Sequence, residues 1–595
     1  MNTFFVSRPV WRSWITFGSK FLLSCLAAIS MPAPIYALPP QLQGHAKASD
    51  LSMFRIDPKR VVWTSGDGVK NAERLLHVER GQAMLKESGP VATLKPGASI
   101  VLDFGIELNG MIEIITPITP KKDPLQLRVR SGESVSETMA ELGEKGAQND
   151  HALRDQKITL PWLGKISIGP SGFRFVRIDN IESDREIAIS ELFAQLIIRD
   201  APYVGSFECS DERLNKIWQT GAYTVQLNMQ EYLWDGIKRD RLVWLGDMHP
   251  EVSVINTVFG FNDVVPKSLD LIRDRTPTTE WMNGISSYSM WWVIIHEDWY
   301  MHHGNLEYLQ AQQSYLAALL KRLATFIGPD GAEKLNGMRF LDWPTYEDKV
   351  AVHEGLQAMM LLTMQSGQRL AKHLGDSELE GICSQATVEL KRHVPQTSGR
   401  KSPAALLSLA ELRDASETAD TILIPGGPKD LSTFYGFYVL NALAKANQTD
   451  AGLDMIDRYW GGMLDVGATT FWEGFDLDWT LNAGRIDDLV PPGKKDIHGD
   501  FGEHCYIGFR HSLCHGWAGG PTAWLSRHVL GVQPMAPGCS KLSIDPHLGR
   551  LAWAKGTFPT PHGPVAIDVR KLADGTLQID YSAPPGVEVV KQTTH

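Results

Sequence analysis

Alternation of apolar and polar residues dominates the first third of the chain after its N-terminal segment. From about residue 51 to residue 200, stretches with a period of two are separated by turns containing Gly and Pro; they are Ala98–Phe104, Leu125–Arg130, Phe173–Ile178 and Glu191–Ile198. Several strands at this spacing predict an antiparallel β-sandwich. The polar, acidic stretch from Ser131 to Asp155 predicts a long excursion at one end of that sandwich.

After Pro202 the apolar residues recur at helical spacing, in segments 211–230, 306–327, 352–373, 432–445, 451–459 and 519–530. Asp211 predicts an N-cap and Gly375 predicts a C-terminal stop. Roughly ten to twelve helices with short connections favour an α/α toroid or a helical solenoid. The chain lacks the repeat signatures of about 34 or 40 residues that would favour a solenoid.

Strand patterns return from Val532 onward and predict a small β-domain. The chain is therefore predicted to be multidomain, with a signal peptide at 1–37, a β-sandwich at 38–201, a helical catalytic domain at 202–531 and a C-terminal β-domain at 532–595.

The N-terminal segment has the pattern of a secretory signal. Basic residues precede an apolar run from Phe21 to Ile29, and a cleavage site is plausible after Ala37. The run is much shorter than the roughly 20 residues that span a bilayer. The run continues past Cys25, which favours secretion over lipid anchoring at that cysteine. We expect an exported protein, periplasmic or extracellular, without a transmembrane helix.

Composition narrows the range of functions. The net charge of −11 argues against a nucleic-acid partner, because phosphate binding needs a basic surface. The 18 tryptophans favour carbohydrate, since flat amphipathic rings often bind sugar faces. Five cysteines follow the predicted signal, an odd number that excludes a disulfide scaffold, although Cys505 and Cys514 are close enough in sequence to pair. The chain also lacks a nucleophile elbow, a phosphate loop and a dinucleotide fingerprint.

Three segments concentrate polar chemistry. Residues 234–247 hold three acids and three bases with two tryptophans, and their spacing predicts a loop leading into a helix near Asp247, with Asp247 as a possible N-cap. Carboxylates in this loop could accept hydrogen bonds from sugar hydroxyls, and the arginines could orient those carboxylates. The alternative interpretation is a solvent-exposed cluster of salt bridges. Glu473 lies between bulky aromatic residues, which would raise the pKa of its carboxyl group or position a water. The alternative is an exposed glutamate whose aromatic neighbours face the core.

Residues 510–521 form the third segment, rich in Gly and His. Together with His498, Asp500, Glu503, His504 and Cys505 it superficially suggests a metal site. The spacings match no zinc signature, so a glycine-rich loop with hydrogen-bonded histidines is the preferred interpretation. We expect no metal and no cofactor.

These segments resemble, in order, the α-L-rhamnosidases of glycoside hydrolase family 78. Asp235-Gly-Ile-Lys-Arg-Asp-Arg-Leu-Val-Trp-Leu-Gly-Asp247 is similar to the family signature Asp-Cys-Pro-x-Arg-(Asp)-Glu-x-Leu-Gly-Trp-x-Gly-Asp. Residues 205–218 resemble the entry to its helical domain, 512–524 resemble its Ser-Leu-Asn-His motif, and 538–546 resemble the start of its closing β-domain. The resemblance implies an (α/α)6 toroid between β-domains and hydrolysis that inverts the anomeric centre.

The resemblance also implies residue roles. Asp240 stands where the family has its general acid, and Glu473 matches the general base that activates water. Substrate contacts are implied for Asp235, Arg239, Trp244, Asp247, Asp342, Trp343, Trp472 and His515. The expected partner is a carbohydrate with terminal α-L-rhamnose in an oligosaccharide, polysaccharide or glycoside, and the oligomeric state is left open.

The chain departs from the family pattern at several positions. Gly236 and Ile237 replace Cys-Pro, Asp240 replaces Glu and Cys514 replaces Asn. An Asp acid is one methylene shorter, so either the leaving oxygen lies closer to it or another group protonates that oxygen. Two alternatives therefore stay open: another carbohydrate enzyme with an α/α toroid, such as a different glycosidase or a polysaccharide lyase, or a non-catalytic carbohydrate-binding relative.

Overall fold

The structure is a computed structural model that describes residues 49–77, 80–119 and 123–591. The predicted signal peptide and Cys25 lie outside the described residues. Within them, none of the helices combines the length and the apolar character needed to cross a bilayer. All elements below belong to one compact unit, Asp50–His595.

Ten strands come first: β1 (Leu51–Ile56), β2 (Arg60–Thr64), β3 (Val69–Lys70), β4 (Ala92–Leu94), β5 (Ser99–Thr116), β6 (Leu125–Gly132), β7 (Asp155–Leu160), β8 (Gly164–Asn180), β9 (Ile187–Ile189) and β10 (Glu191–Arg199). One sheet has the order β1-β10-β5-β8-β6-β7, with β2 also on β5, and β3-β4-β9 form a second sheet. Apolar side chains of both sheets share one buried core, as expected of a sandwich. A short helix, α1 (Val135–Met139), lies between β6 and β7.

After β11 (Ser206–Cys209) the chain is helical: α2 (Glu212–Asn228), α3 (Leu245–Val258), α4 (Val264–Arg275), α5 (Ser286–His303), α6 (Leu306–Ala324), α7 (Lys349–Leu374), α8 (Ser377–Leu390), α9 (Lys401–Leu409), α10 (Ala415–Thr418), α11 (Gly436–Lys445), α12 (Thr449–Met455), α13 (Gly461–Asp465) and α14 (Gly520–Trp524). Wider π turns extend α10, α12 and α14 at Ala419–Leu423, Ile456–Trp460 and Leu525–Val529.

Six of these helices close a ring. α3 packs against α5, α5 against α7, α7 against α9, α9 against α11, α11 against α14, and α14 against α3. Outer helices pack against this ring; α6 and α8, for example, contact α7. The predicted (α/α)6 toroid is confirmed, and the solenoid alternative is wrong because a ring of inner helices returns to its start.

Local signals account for the helix ends in two cases and fail in a third. Asp211 caps α2 by accepting from the backbone N–H groups of Arg213 (3.0 Å) and Leu214 (3.4 Å), and Gly375 ends α7 in the left-handed conformation (φ 71°). The N-cap prediction for Asp247 is wrong. α3 begins two residues earlier because Asn283 accepts from the N–H of Leu245 (3.1 Å), and Asp247 lies in the first turn.

Two short strand pairs, β12 (Ala483–Gly484) with β13 (Lys495–Asp496) and β14 (Gly502–Glu503) with β15 (Tyr506–Ile507), precede α14. The C-terminal part contains β16 (Val532–Ala536), β17 (Lys541–Ile544), β18 (Trp553–Phe558), β19 (Val565–Lys571), β20 (Leu577–Ser582) and β21 (Glu588–Lys591). They form the sheets β16-β17-β21 and β11-β18-β19-β20. The predicted domain limits place β11 and β18 in different domains, although the two strands share a sheet.

Candidate active site

Polar residues collect where the inner helices begin. Asp247 lies in the first turn of α3, Tyr288 in the first turn of α5 and Ser402 in the first turn of α9. Helix N-termini carry unpaired N–H groups and partial positive charge, so this end of the toroid favours carboxylates and sugar oxygens.

The acid loop (residues 229–244) carries the first predicted segment. Its ends are tied by the N–H of Asp235 donating to the carbonyl of Leu242 (3.1 Å) and the N–H of Leu242 donating to the carboxylate of Asp235 (3.0 Å). Asp240 and Arg241 are both left-handed, with φ values of 56° and 57°. Such a pair is costly for non-glycine residues, and strain of this kind gathers at functional sites.

Arg239 joins the two predicted catalytic carboxylates. One guanidinium nitrogen donates to Oε1 of Glu473, and the other lies 3.3 Å from Oδ1 of Asp240. Arg239 and Glu473 are buried, whereas the side chain of Asp240 keeps 22% of its surface exposed. The acid loop and the aromatic-flanked glutamate therefore lie close together, joined by one guanidinium.

Two backbone segments hold Glu473 from the other side. The base segment (residues 469–476) and the histidine segment (residues 510–517) run together: Glu473 N–H donates to the carbonyl of Ser512 (3.0 Å), and His515 N–H donates to that of Phe471 (3.0 Å). The N–H of Ser512 donates to Oε2 of Glu473 at 3.3 Å. Both carboxylate oxygens of Glu473 thus have partners.

Three carboxylates converge on one imidazole. Nε2 of His515 lies 3.8 Å from an oxygen of Asp235, of Asp247 and of Glu473. Burial lowers the pKa of His515 well below its usual value, with Arg239 adding to the effect, so the ring is neutral. Burial, and then the charges of neighbouring carboxylates, raise the pKa values of Asp235 and Asp247 well above the ordinary range.

A cavity of about 260 Å³ adjoins Glu473. Asp342 and Trp343 line it, as does Trp479. Asp342 accepts from the hydroxyl of Ser402 (2.8 Å) and from the N–H and hydroxyl of Thr345 (3.1 and 2.5 Å), so its carboxylate is fixed. The cavity offers aromatic faces beside a buried carboxylate, the combination that suits a sugar.

Two predicted binding tryptophans lie differently. Trp244 is partly buried and packs edge-on against Tyr288 (6.1 Å between ring centroids), which in turn lies beside Asp247. Trp472 has no exposed surface and packs against Phe475 and His511. The expectation that Trp472 contacts substrate therefore needs correcting: its ring is buried in the core next to Glu473, covered by Phe475 and His511.

The histidine-rich segments do not gather as the superficial metal pattern suggests. Among the described residues, the group with converging metal-type donors is Glu133, Glu137 and His498, all buried. The ammonium of Lys238 already lies 3.3 Å from Glu133 and 3.0 Å from Glu137.

Cys505 and Cys514 are both free, so the possible disulfide between them is not formed.

Sequence reasoning missed several contributors. Glu251 is buried one turn after Asp247, where burial raises its pKa well above the usual value, and a Cβ at Gly516 would lie 1.5 Å from its Oε1. The i, i+4 spacing from Asp247 was the available signal. Tyr288 and Trp479 carry no local signal, since only the fold brings them to the site.

Comparison with known proteins agrees with this architecture. Residues 202–381 match the family model described as the bacterial alpha-L-rhamnosidase 6 hairpin glycosidase domain, and residues 531–590 match the bacterial alpha-L-rhamnosidase C-terminal domain. An alpha-L-rhamnosidase of Alteromonas sp. (strain LOR) is 24% identical over 531 residues, which cover 80% of this chain and 54% of that protein.

Solved structures share the fold. The GH78 family rhamnosidase of Bacillus sp. GL1 superposes with a TM-score of 0.68 at 20% identity, covering 87% of this chain and 55% of that one. A rhamnosidase from Klebsiella oxytoca with rhamnose bound gives a TM-score of 0.62 at 19% identity, covering 80% of this chain and 96% of that one. The chain spans about half the length of the Alteromonas and Bacillus proteins.

Proposed function

We propose that this chain, which carries the six-hairpin glycosidase domain and the C-terminal domain of the bacterial α-L-rhamnosidases, hydrolyses the glycosidic bond of a terminal α-L-rhamnose. The observation that carries the proposal is the single guanidinium of Arg239 contacting both Asp240 and Glu473, at the end of the toroid where the inner helices begin. Glycosidases use a pair of carboxyl groups that flank the scissile bond, and Arg239 holds such a pair close together.

In the proposed reaction Asp240 protonates the glycosidic oxygen as the bond breaks, and Glu473 takes a proton from a water that attacks the anomeric carbon from the opposite face. This route inverts the anomeric centre and needs about 6.5–9.5 Å between the carboxyl groups when substrate and water are bound. The partial exposure of Asp240 suits the acid, which must reach the leaving group, and the burial of Glu473 suits a base that positions one water.

The remaining residues would bind the sugar ring. Neutral His515 can donate from one ring nitrogen and accept at the other, and carboxyl groups with raised pKa values can donate as well as accept. Asp235 and Asp247 thus offer partners for adjacent hydroxyl groups. The cavity lined by Asp342, Trp343 and Trp479 would take the part of the substrate next to Glu473.

The test compares wild-type protein with Glu473→Gln on p-nitrophenyl α-L-rhamnoside. Removing a general base should lower kcat by about 10²–10⁴-fold, while L-rhamnose affinity measured by calorimetry is largely kept. Glu411→Gln is the control, because Glu411 is exposed and bound to Lys445 at the surface, and it should match wild type. Turnover of Glu473→Gln at the wild-type rate would refute the assignment.

The stereochemistry is tested separately by following the first-formed rhamnose by proton NMR. Inversion predicts that the β-anomer appears first and then mutarotates. Initial release of the α-anomer would refute the inverting mechanism. Binding of L-rhamnose without product from any rhamnoside would instead identify a non-catalytic carbohydrate-binding protein.

Export is also part of the proposal, and it is supported by the N-terminal basic residues, apolar run and small residues before position 38. Expression of the full chain in a bacterium should yield a mature protein that begins near Leu38. Mass spectrometry of the intact product distinguishes this outcome from an uncleaved chain, which would contradict it.

A further inference from the structure

The excursion between β6 and β7, residues 133–154, leaves the β-sandwich and contacts the acid loop. Glu133 and Glu137, at the start of this excursion, are 0% and 1% exposed. The acid loop also touches the sandwich directly: Ile237 belongs to the sandwich core, and a Cβ at Gly172 in β8 would lie 2.8 Å from the backbone nitrogen of Lys238. The β-sandwich therefore packs directly against the acid loop of the candidate active site.

Lys238 provides the connection. Its ammonium lies 3.3 Å from Oε2 of Glu133 and 3.0 Å from Oε1 of Glu137, and it donates to the carbonyl of His511 (2.9 Å). The ammonium thus places a positive charge between two buried carboxylates, and Arg154 adds a second one 3.5 Å from Glu137. Lys238 directly precedes Arg239, so holding Lys238 in place also holds the backbone from which the Arg239 side chain extends.

Glu133 has a second set of partners in the histidine segment. Its Oε2 accepts from the N–H of Leu513 at 2.6 Å, and its Oε1 lies 3.5 Å from the hydroxyl of Ser512. Ser512 is the residue whose N–H and carbonyl hold Glu473. Arg239 and Ser512 both hold Glu473, the proposed base. Glu133 contacts the neighbour of each of them in the chain, Lys238 and Leu513.

The buried cluster of Glu133, Glu137 and Lys238 is not explained by a gain in folding stability. Burial raises the pKa of Glu133 to about 7; Lys238 opposes this rise and Glu137 adds to it. Buried ion clusters are often no more stable than apolar side chains of the same volume. Their best-supported use is to fix one geometry, which an active site needs because a displacement of about 1 Å can cost about 10²-fold in rate.

We propose that Glu133 is a positioning residue of the active site, which fixes Arg239 through Lys238 and Glu473 through the Ser512–Leu513 backbone. This inference rests on the proposed hydrolysis of rhamnosides. Glu133 does not touch the site of bond cleavage itself; it acts through the two loops that do.

The experiment compares Glu133→Gln with Glu113→Gln in the full-length protein. Glu113 is a matched control: it is a buried carboxylate of the same sandwich, 3.3 Å from Lys165, and its partners lie outside the acid loop and the histidine segment. Glu133→Gln should lower kcat on p-nitrophenyl α-L-rhamnoside by about 10–100-fold with KM changed by less than about 3-fold. Glu113→Gln should keep the wild-type kcat.

A second readout does not depend on turnover. Hydrogen exchange followed by mass spectrometry should show faster exchange in peptides spanning residues 505–520 in Glu133→Gln, since the N–H of Leu513 loses its charged acceptor. Lys238→Met tests the arm that leads to Arg239. The combined loss of kcat in the double variant should be smaller than the product of the two single losses, because Glu133 and Lys238 share one contact.

Wild-type kcat in Glu133→Gln, or additive losses in the double variant, would overturn the inference. Losses in Glu133→Gln no greater than in Glu113→Gln would also overturn it, because the effect would then be one of general stability. Absence of rhamnose release by wild-type protein would refute the proposed function instead, and the exchange at residues 505–520 would still report on the connection.

Discussion

Replacing Asp247 by Asn should make the protein more stable at neutral pH while lowering its activity. Asp247 is 3% exposed, and its carboxylate accepts from the hydroxyl of Tyr288 at 3.4 Å, a long contact, and from its own backbone N–H. Burial and the charge of Glu473 raise its pKa well above the usual value. The ionised form is therefore poorly stabilised in the folded protein, and Asn removes the ionisation at nearly constant volume.

The magnitude follows from linkage. Because the folded protein holds this proton more tightly than the unfolded chain, stability falls as pH rises from about 4 towards the folded pKa. Each unit by which the folded pKa exceeds the unfolded value costs about 1.4 kcal/mol. Asp247→Asn should match wild type in stability near pH 4 and should be more stable than wild type at pH 7.5.

Asp298 is a useful comparison because its pKa is lowered in the folded protein, whereas that of Asp247 is raised. Burial opposes its ionisation, but the hydrogen bond from Nε2 of His249 (3.0 Å) and the charge of that ring outweigh burial and lower the pKa to about 2. Its contribution to stability is present above about pH 4 and is lost as pH falls towards 2. Asp298→Asn should therefore be less stable than wild type at pH 7.5, the opposite of Asp247→Asn.

The assay is urea denaturation followed by tryptophan fluorescence at pH 4 and pH 7.5, with kcat/KM measured on the same samples. Asp247→Asn should lose activity at both pH values, since the proposed sugar contact is changed. The reasoning would be refuted if Asp247→Asn were less stable than wild type at pH 7.5, or if the difference between them were the same at both pH values.

Two further predictions concern the site. Arg239→Lys should lower kcat/KM on p-nitrophenyl α-L-rhamnoside by about 10²-fold, because one ammonium cannot hold Asp240 and Glu473 as two guanidinium nitrogens do. Arg369→Lys is the control and should keep the wild-type kcat/KM, because Arg369 is an exposed residue paired with Glu297. Trp343→Ala should weaken binding of a rhamnose-capped oligosaccharide about 10-fold in calorimetry but leave L-rhamnose affinity unchanged; equal losses for both ligands would contradict the placement of Trp343 beside the rest of the substrate.

The architecture was predictable because its signals are local. Period-two and helical patterns identify the long strands β5 and β8 and the helices α2, α6 and α7, and the caps at Asp211 and Gly375 depend on neighbouring residues alone. The start of α3 was missed because it depends on Asn283, a residue from a different part of the chain. Local patterns predict where elements lie, while tertiary partners adjust their ends.

The candidate site also combines residues that the sequence identifies with residues whose position depends on tertiary partners. The acidic motif of the acid loop and Glu473 were identified from their residue types and from the resemblance, and the structure brings them together through Arg239. The aromatic residues beside Glu473 were harder to assign. Trp472 directly precedes Glu473 and Phe475 follows it by two residues, yet Phe475 lines the cavity whereas Trp472 is buried against Phe475 and His511.

The contribution of Glu133 could not have been read from its surroundings in the sequence. Residues 131–155 are polar and acidic, and such a stretch is usually a solvated loop. What makes Glu133 a buried group is the N–H of Leu513, 380 positions away, together with the ammonium of Lys238. An acidic residue near a strand end predicts an exposed loop until its cationic partner is known. The residues that position a catalytic group are therefore harder to find in a sequence than the catalytic group itself, since their chemistry is supplied by partners rather than by neighbours.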